Sequence, residues 1–329
     1  MISVFRMIVV TVLASASSFA NAQALPAGPE QAYPAKEIRL VCPYAPGAGG
    51  DFITRALAQE LSVNLGKPVI VENRPGANGI VGMGFVARSA PDGYTLVLAI
   101  SSGWAINPNL YSKLPYDSVK DFAPIILLAG NPQFLVVHPS LPVKSVKELI
   151  VLAKARKAQL AYASAGSGSA SHLASEALKT MTGTDILHVP YKGAGLAITD
   201  LISGQVQLSL MGWITIGPHV KTGRLRVLGV TSAKRSLLLP DLPAIAETVP
   251  GYDFSLWYGV AAPTGTSGEI IGRLNTEILR VLAARDFRQR IEAQAIEPIG
   301  STPEKFGNYI KSEITKWGRV VKDSGAKSD

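Results

Sequence analysis

From residue 37 onward the chain alternates short runs of aliphatic and β-branched residues with longer amphipathic stretches, and this alternation leaves few ways to fold it. "EIRLVCPY" (37–44), "PVIVEN" (68–73) and "YTLVLAIS" (94–101) predict strands, each bounded by Gly, Pro or Asp. Between the first two, Ile53, Ala56, Leu57 and Leu61 recur at helical spacing over 52–65. Fully apolar strands separated by amphipathic helices predict parallel sheets covered on both faces. The pattern resumes with "LAYAS", a helix after Ser171, "ILHVPY", a helix over 194–203, "QVQLSLMG" and "LRVLGVTS". Capping boxes are read at Ser145 with Glu148 and at Thr266 with Glu269. Two long polar-faced helices are expected over 267–293 and 303–323, the second opened by Thr302-Pro303.

The segment "DFAPIILLAGNPQFLVVHP" (121–139) is too long for one strand and joins two such series. It reads as a strand that leaves one lobe and enters another, and "LRVLGVTSAKR" (225–235) is the candidate return. The fold class is therefore α/β with two doubly wound lobes. The expected boundaries are 23–128 with 233–329 for lobe 1 and 129–232 for lobe 2. Ligands of such sheets bind at the carboxyl ends of the strands, which two lobes would face across a cleft.

The first 22 residues carry one basic residue (Arg6), an apolar stretch from Met7 to Ala16 and a closing Ala20-Asn21-Ala22. That is the pattern of a secretory signal cut before Gln23, and it is about half the length a membrane span needs. Export to the periplasm is expected. The only cysteine, Cys42, permits no internal disulfide and reads as a small buried hydrophobe. The net charge of +8 is scattered over the chain without a basic stripe interleaved with aromatics, which excludes a nucleic-acid partner and fits a weak field for small anions.

Two glycine-rich strand-to-helix turns carry the candidate chemistry. "ASAGSGSASH" (163–172) lacks the Lys of a phosphate loop and has Ser171 where a dinucleotide loop needs its last glycine. "PYAPGAGGD" (43–51) fails the same tests and sets Asp51 at the helix start. No G-x-S-x-G elbow is present, and a Ser169–His172–Asp200 triad would need a nucleophile and base three residues apart across a helix start. His138, His172, His188 and His219 lack paired metal-ligand spacing. No cofactor is expected. The remaining readings are tight turns alone, or anion capture by the N–H groups and dipoles of helix starts.

"YPAKEIRLVCPYAPGAGGD", "VIVENRPGANGIVG", "APDGYTL", "AINPNLYSKLPYDSVKDFAPI", "HVPYKGAG" and "VTSAKRSLLLPDLPAIAE" resemble the Bug family of periplasmic solute-binding receptors of tripartite tricarboxylate transporters. The likeness runs in order over the chain after its first 22 residues. It implies a type II-like two-lobe periplasmic binding protein fold with a ligand cleft. The implied partners are a small carboxylate and the small and large membrane subunits of a transporter, or a membrane sensor in its place. The chain is expected to act as a monomer without enzymatic activity, an exported Ser-His hydrolase being the rival class.

The resemblance assigns Pro46, Ala48, Gly49, Gly50 and Asp51 of the first loop to the ligand site, with Ser164, Gly166, Ser167, Gly168, Ser169 and His172 of the second. Asp51 is read as a helix cap and His172 as a brace. Lys192, in the shared "PYKG" segment, joins the expected ligand site. The sequence departs from the family pattern at Ser102-Gly103-Trp104 and at Met211-Gly212-Trp213, where relatives often place polar groups. Ser102, Trp104, Met211, Gly212 and Trp213 therefore join the expected site, and stacking on the two Trp rings favours an aromatic or largely apolar acid.

Overall fold

A computed structural model describes residues 33–47 and 49–326. The expected signal segment, 1–22, lies outside them. Residues from Pro34 onward hold two sheets. The first takes β1 (Ile38–Cys42), β2 (Val69–Asn73), β3 (Thr95–Ile100), β4 (Phe122–Asn131), β10 (Leu256–Pro263) and β11 (Glu297–Pro298), in the order β11-β4-β10-β3-β1-β2. The second takes β5 (Phe134–Val137), β6 (Ala161–Ser164), β7 (Leu187–Pro190), β8 (Leu208–Met211) and β9 (Arg226–Val230), in the order β7-β6-β8-β5-β9.

The long apolar segment divides as its length requires. β4 ends at Asn131, Pro132 cannot donate to a ladder, and β5 begins in the other sheet at Phe134. The all-parallel expectation needs correction, because both sheets are mixed. β10 pairs antiparallel with β3 and β4, and β5 pairs antiparallel with β8 and β9. β5 arrives straight from β4, and β10 follows the irregular segment 231–255. Neither comes through a helical crossover, so nothing imposes parallel pairing on them.

Helices cover both sheets. In the first, α1 (Gly49–Leu65) follows β1 and buries Ile53, Ala56, Leu57 and Leu61, the four residues its spacing singled out. α2 (Ile80–Ala87), a π-helical turn (Ser102–Ile106) and the short α3 (Asn107–Leu110) follow β2 and β3. In the second, α4 (Val146–Ala155), α5 (Ala170–Thr182), α6 (Ala194–Ile202) and α7 (Trp213–Lys221) lie between strands. Ser145 caps α4 through the N–H of Glu148, while the Glu148 carboxylate accepts from Lys144 rather than closing the box on Ser145.

The C-terminal region differs from its expectation in two places. The stretch 267–293 is broken at Ala284, whose extended backbone separates α8 (Gly268–Ala283) from α9 (Arg285–Glu292). Its cap is Ser267, which accepts from the Ile270 N–H; Thr266 instead donates to the Pro263 carbonyl. α10 (Pro303–Ser324) opens as read, with Thr302 accepting from the Lys305 N–H and Pro303 in the first turn.

α10 packs on β4 and also on α5, so a continuous core reaches both sheets through Leu173, Ala177, Phe254 and Trp317. Cys42 is fully buried in the first sheet. Within the core the buried Glu313 of α10 accepts from two indoles, Trp257 Nε1 at 2.8 Å and Trp317 Nε1 at 3.2 Å. Glu313→Ala strands both donors. We expect a loss of about 2–4 kcal/mol, since an unpaired buried donor costs about 1–3 kcal/mol. Urea unfolding of the variant beside the parent checks this.

Candidate functional site

Four helices begin at the opening between the two sheets. After β1 the chain turns and enters α1 at Gly49; Ala48 lies outside the described residues. A Cβ on Gly49 would stand 3.1 Å from Tyr258 Oη of the same sheet, so a glycine lets this backbone approach that hydroxyl, while Ile214 of α7 lies 3.8 Å away across the opening.

Asp51 holds the first loop. Its carboxylate accepts from the Gly47 N–H (3.0 Å), Arg55 Nε (3.0 Å) and Asn73 Nδ2 (2.8 Å). It therefore ties the loop down instead of capping an N–H of its own helix. Burial pushes its pKa up, but the bonds from Arg55, Gly47 and Asn73 outweigh this and hold the carboxyl below its ordinary value.

The second loop leaves β6 at Ser164 and enters α5. Gly166 and Gly168 take φ of +130° and +72°, which side chains other than glycine rarely adopt. Ser169 caps α5 by accepting from the His172 N–H at 3.3 Å, and the Gly168 N–H donates to His172 Nδ1 at 3.0 Å. Ser164 Oγ lies 2.6 Å from His188 Nε2 and accepts from the Gly166 N–H. α6 and α7 begin after Gly193 and Gly212, caps that carry no side chain to occupy their first N–H groups.

These ends converge on a cavity of about 330 Å³. α1 offers Gly49 and Gly50, α5 offers Ser169 to Ser171, α6 offers Gly193 and Ala194, and α7 offers Gly212, Ile214 and Thr215. Ile100, Leu210, Met211 and Leu256 form its apolar wall. Among the described lining residues none is Asp, Glu, Lys, Arg or His. Tyr44 and Tyr258 line it too, and burial raises both phenols above their ordinary range, so they remain protonated. Tyr258 Oη accepts from Asn131 Nδ2 at 2.8 Å and keeps its own O–H for donation.

The sequence-derived set divides against this cavity. Gly49, Gly50, Ser102, Ser169, Met211 and Gly212 line it. Ser164, Gly166, Ser167, Gly168 and His172 shape the second loop without lining the cavity, and Pro46, Asp51 and Lys192 are also outside its lining. Two residues need correction. Trp104 has no exposure, packing edge-on against Phe122 and Phe306 with its Nε1 donating to the Ala99 carbonyl. Trp213 contributes the start of α7, but its ring lies 5.2 Å from Phe134 and lines a separate outer groove with Pro139 and Leu242. Neither ring reaches the cavity, so stacking on them cannot select a ligand.

Several lining residues escaped the sequence reading: Tyr44, Asn78, Asn131, Gln133, Ser209 and Tyr258. For Asn131 and Gln133 a signal existed. They are the polar pair flanking Pro132 in an otherwise apolar crossing, and both line the cavity. Tyr258 sits inside an apolar strand, where a partner for its hydroxyl could not be foreseen.

Comparisons with known proteins find matches over most of the chain. A family model described as "Tripartite tricarboxylate transporter family receptor" matches residues 53–326. Protein BugT of Bordetella pertussis is 37% identical over 297 residues, 90% of this chain and 91% of that protein. A solved structure described as R. palustris Rpa4515 with adipate superposes with a TM-score of 0.83 at 36% identity, covering 90% of this chain and 99% of that one. MatC (Rpa3494) from Rhodopseudomonas palustris, with bound malate, gives 0.78 at 29% identity over 88% of this chain and 100% of that one.

The Asp51 bonds predict an acid-labile loop. A carboxyl with a lowered folded value adds stability above its unfolded value of about 3.9, and this is lost as pH falls through the folded value. We expect Asp51→Asn to melt below the parent at neutral pH and the two curves to converge in acid. Melting temperature measured against pH checks the convergence.

Proposed function

Because the chain belongs to the tripartite tricarboxylate transporter family of receptors, we propose that it captures a small organic carboxylate in its cleft and presents it to the membrane subunits of such a transporter. One observation carries the reading: four helix starts meet in a cavity whose described lining has no charged side chain. Each start has N–H groups without intrahelical partners and a partial positive charge, the combination that binds an anion without a cationic residue. The adipate and malate named for the two R. palustris proteins support the carboxylate class.

With Trp104 and Trp213 outside the cavity, the wall of Ile100, Leu210, Met211 and Leu256 favours an aliphatic body over a flat aromatic one. Capture rather than catalysis fits the second loop. Ser169 Oγ acts as a cap, His172 Nδ1 accepts from Gly168, and Asp200 accepts from the Tyr191 hydroxyl at 2.8 Å. A periplasmic location follows from the family and from the signal pattern of residues 1–22, and among the described residues no helix is long and apolar enough to cross a membrane. The lobe division at 23–128 with 233–329 and 129–232 belongs to the same reading, with the first crossing drawn at Pro132.

Thermal-shift screening against mono-, di- and tricarboxylates tests the ligand class. A ligand at a hundred times its Kd adds about 2.7 kcal/mol, enough to move the melting curve. Aliphatic acids such as adipate are expected to shift it, and failure of every carboxylate would refute the reading. Calorimetry on variants tests the mode of capture. Ser169→Ala is expected to weaken binding by about 0.5–1.5 kcal/mol, one hydrogen bond's worth, and Lys192→Ala to leave it intact.

A further inference from the structure

We propose that His172 and His188 form an acid-sensitive clasp beneath the glycine-serine loop, so that protonation of His172 loosens the loop and lowers ligand affinity as pH falls. The affinity part rests on the reading of the cleft as a carboxylate site.

The clasp has two grips on one short segment. His172 Nδ1 accepts from the Gly168 N–H at 3.0 Å, which requires that this nitrogen carry no proton. His188 Nε2 lies 2.6 Å from Ser164 Oγ, and that hydroxyl also accepts from Gly166. The two imidazoles stack with centroids 4.0 Å apart and planes within 12°, and Tyr162 stacks on the other face of His188 at 4.9 Å. Across the cleft, Leu110 of the first lobe sits against the same loop. A Cβ on Gly168 would fall 2.2 Å from Leu110 Cδ2, so the glycine lets Leu110 of the first lobe pack directly against this loop.

Protonating Nδ1 turns the acceptor into a second donor facing the Gly168 N–H. The bond is then lost, and a second positive ring 4.0 Å away would be repelled. Titratable groups also stand on the described elements around the stack. Glu176, one turn along α5, accepts from Tyr162 Oη and from Lys179. Beside β7, Asp200 accepts from Tyr191. Tyr252 donates to the Ala174 carbonyl, next to Asp253. α10 brings Lys316, Arg319 and Asp323 to the Ala177–Met181 end of α5, beyond the stack. β8, the other neighbour of β6, has no titratable residue in Leu208–Met211.

The closed loop therefore needs a neutral His172. Affinity is full while the ring is neutral and falls, by up to about tenfold per pH unit, as the ring gains its proton.

The test has a ligand-free arm and a binding arm. In the ligand-free protein, NMR should show the Gly168 amide titrating together with the His172 ring. In His172→Asn, whose Oδ1 can take the place of Nδ1 without titrating, the amide should stay put. With adipate as probe, the ratio of parent to His172→Asn affinity should fall about tenfold between about pH 7.5 and about pH 5.5, the probe's own protonation cancelling in the ratio. A Gly168 amide that ignores the titration of His172, or a constant ratio, overturns the clasp. Absence of adipate binding at every pH would count against the ligand reading alone, and the amide titration decides the clasp in either case.

Discussion

A carboxylate leaving water for a cleft must have its lost hydration replaced, and the cost of failing to replace it is large. In this chain the replacement cannot come from an opposite charge, because the described lining of the cavity holds none. In the proposed reading it comes from backbone N–H groups, which lie unpaired where helices begin. The fold can be understood as the means of bringing four such beginnings to one place. β1, β6, β7 and β8 all end at the cleft, and the helix after each starts there.

Backbone donors fix direction more firmly than a flexible Lys or Arg would, but they place demands on the chain. Gly49 must let its backbone come close to Tyr258 and Ile214, and Gly168 must hold a left-handed conformation while leaving room for Leu110. Around these points the side chains serve as fixings. Asp51 with Arg55 and Asn73 holds one loop, and Ser164, His172 and His188 hold the other. Polar residues that look like chemistry in the sequence are thus used to make the backbone rigid. A field free of net charge also leaves the apolar wall to discriminate among acids by shape.

Much of this was legible beforehand because it depends on local pattern. The spacing of Ile53, Ala56, Leu57 and Leu61 defined the buried face of α1, Thr302-Pro303 marked the start of α10, and the length of 121–139 called for two strands. What failed depends on tertiary context. The direction of β10 is set by where an irregular segment delivers it, and the break at Ala284 by packing of α8 and α9 that no local signal announces. Trp104 and Trp213 both follow strand ends at the cleft, as expected, yet a helix start exposes its backbone to the ligand side while its side chains point elsewhere. Position along the chain led to backbone that lines the cavity and misplaced two side chains, Trp104 and Trp213.

The central claim is that backbone amides, rather than a cationic side chain, receive the anion. It is tested most directly by following amide resonances while adipate is added. Large shifts are expected for Gly49, Gly50, Ala170, Ser171, Ala194, Ile214 and Thr215, at the four helix starts, with Lys192 and the other Lys and Arg side chains unmoved. Shifts confined to Lys192 or another cation, with the helix starts silent, would contradict it.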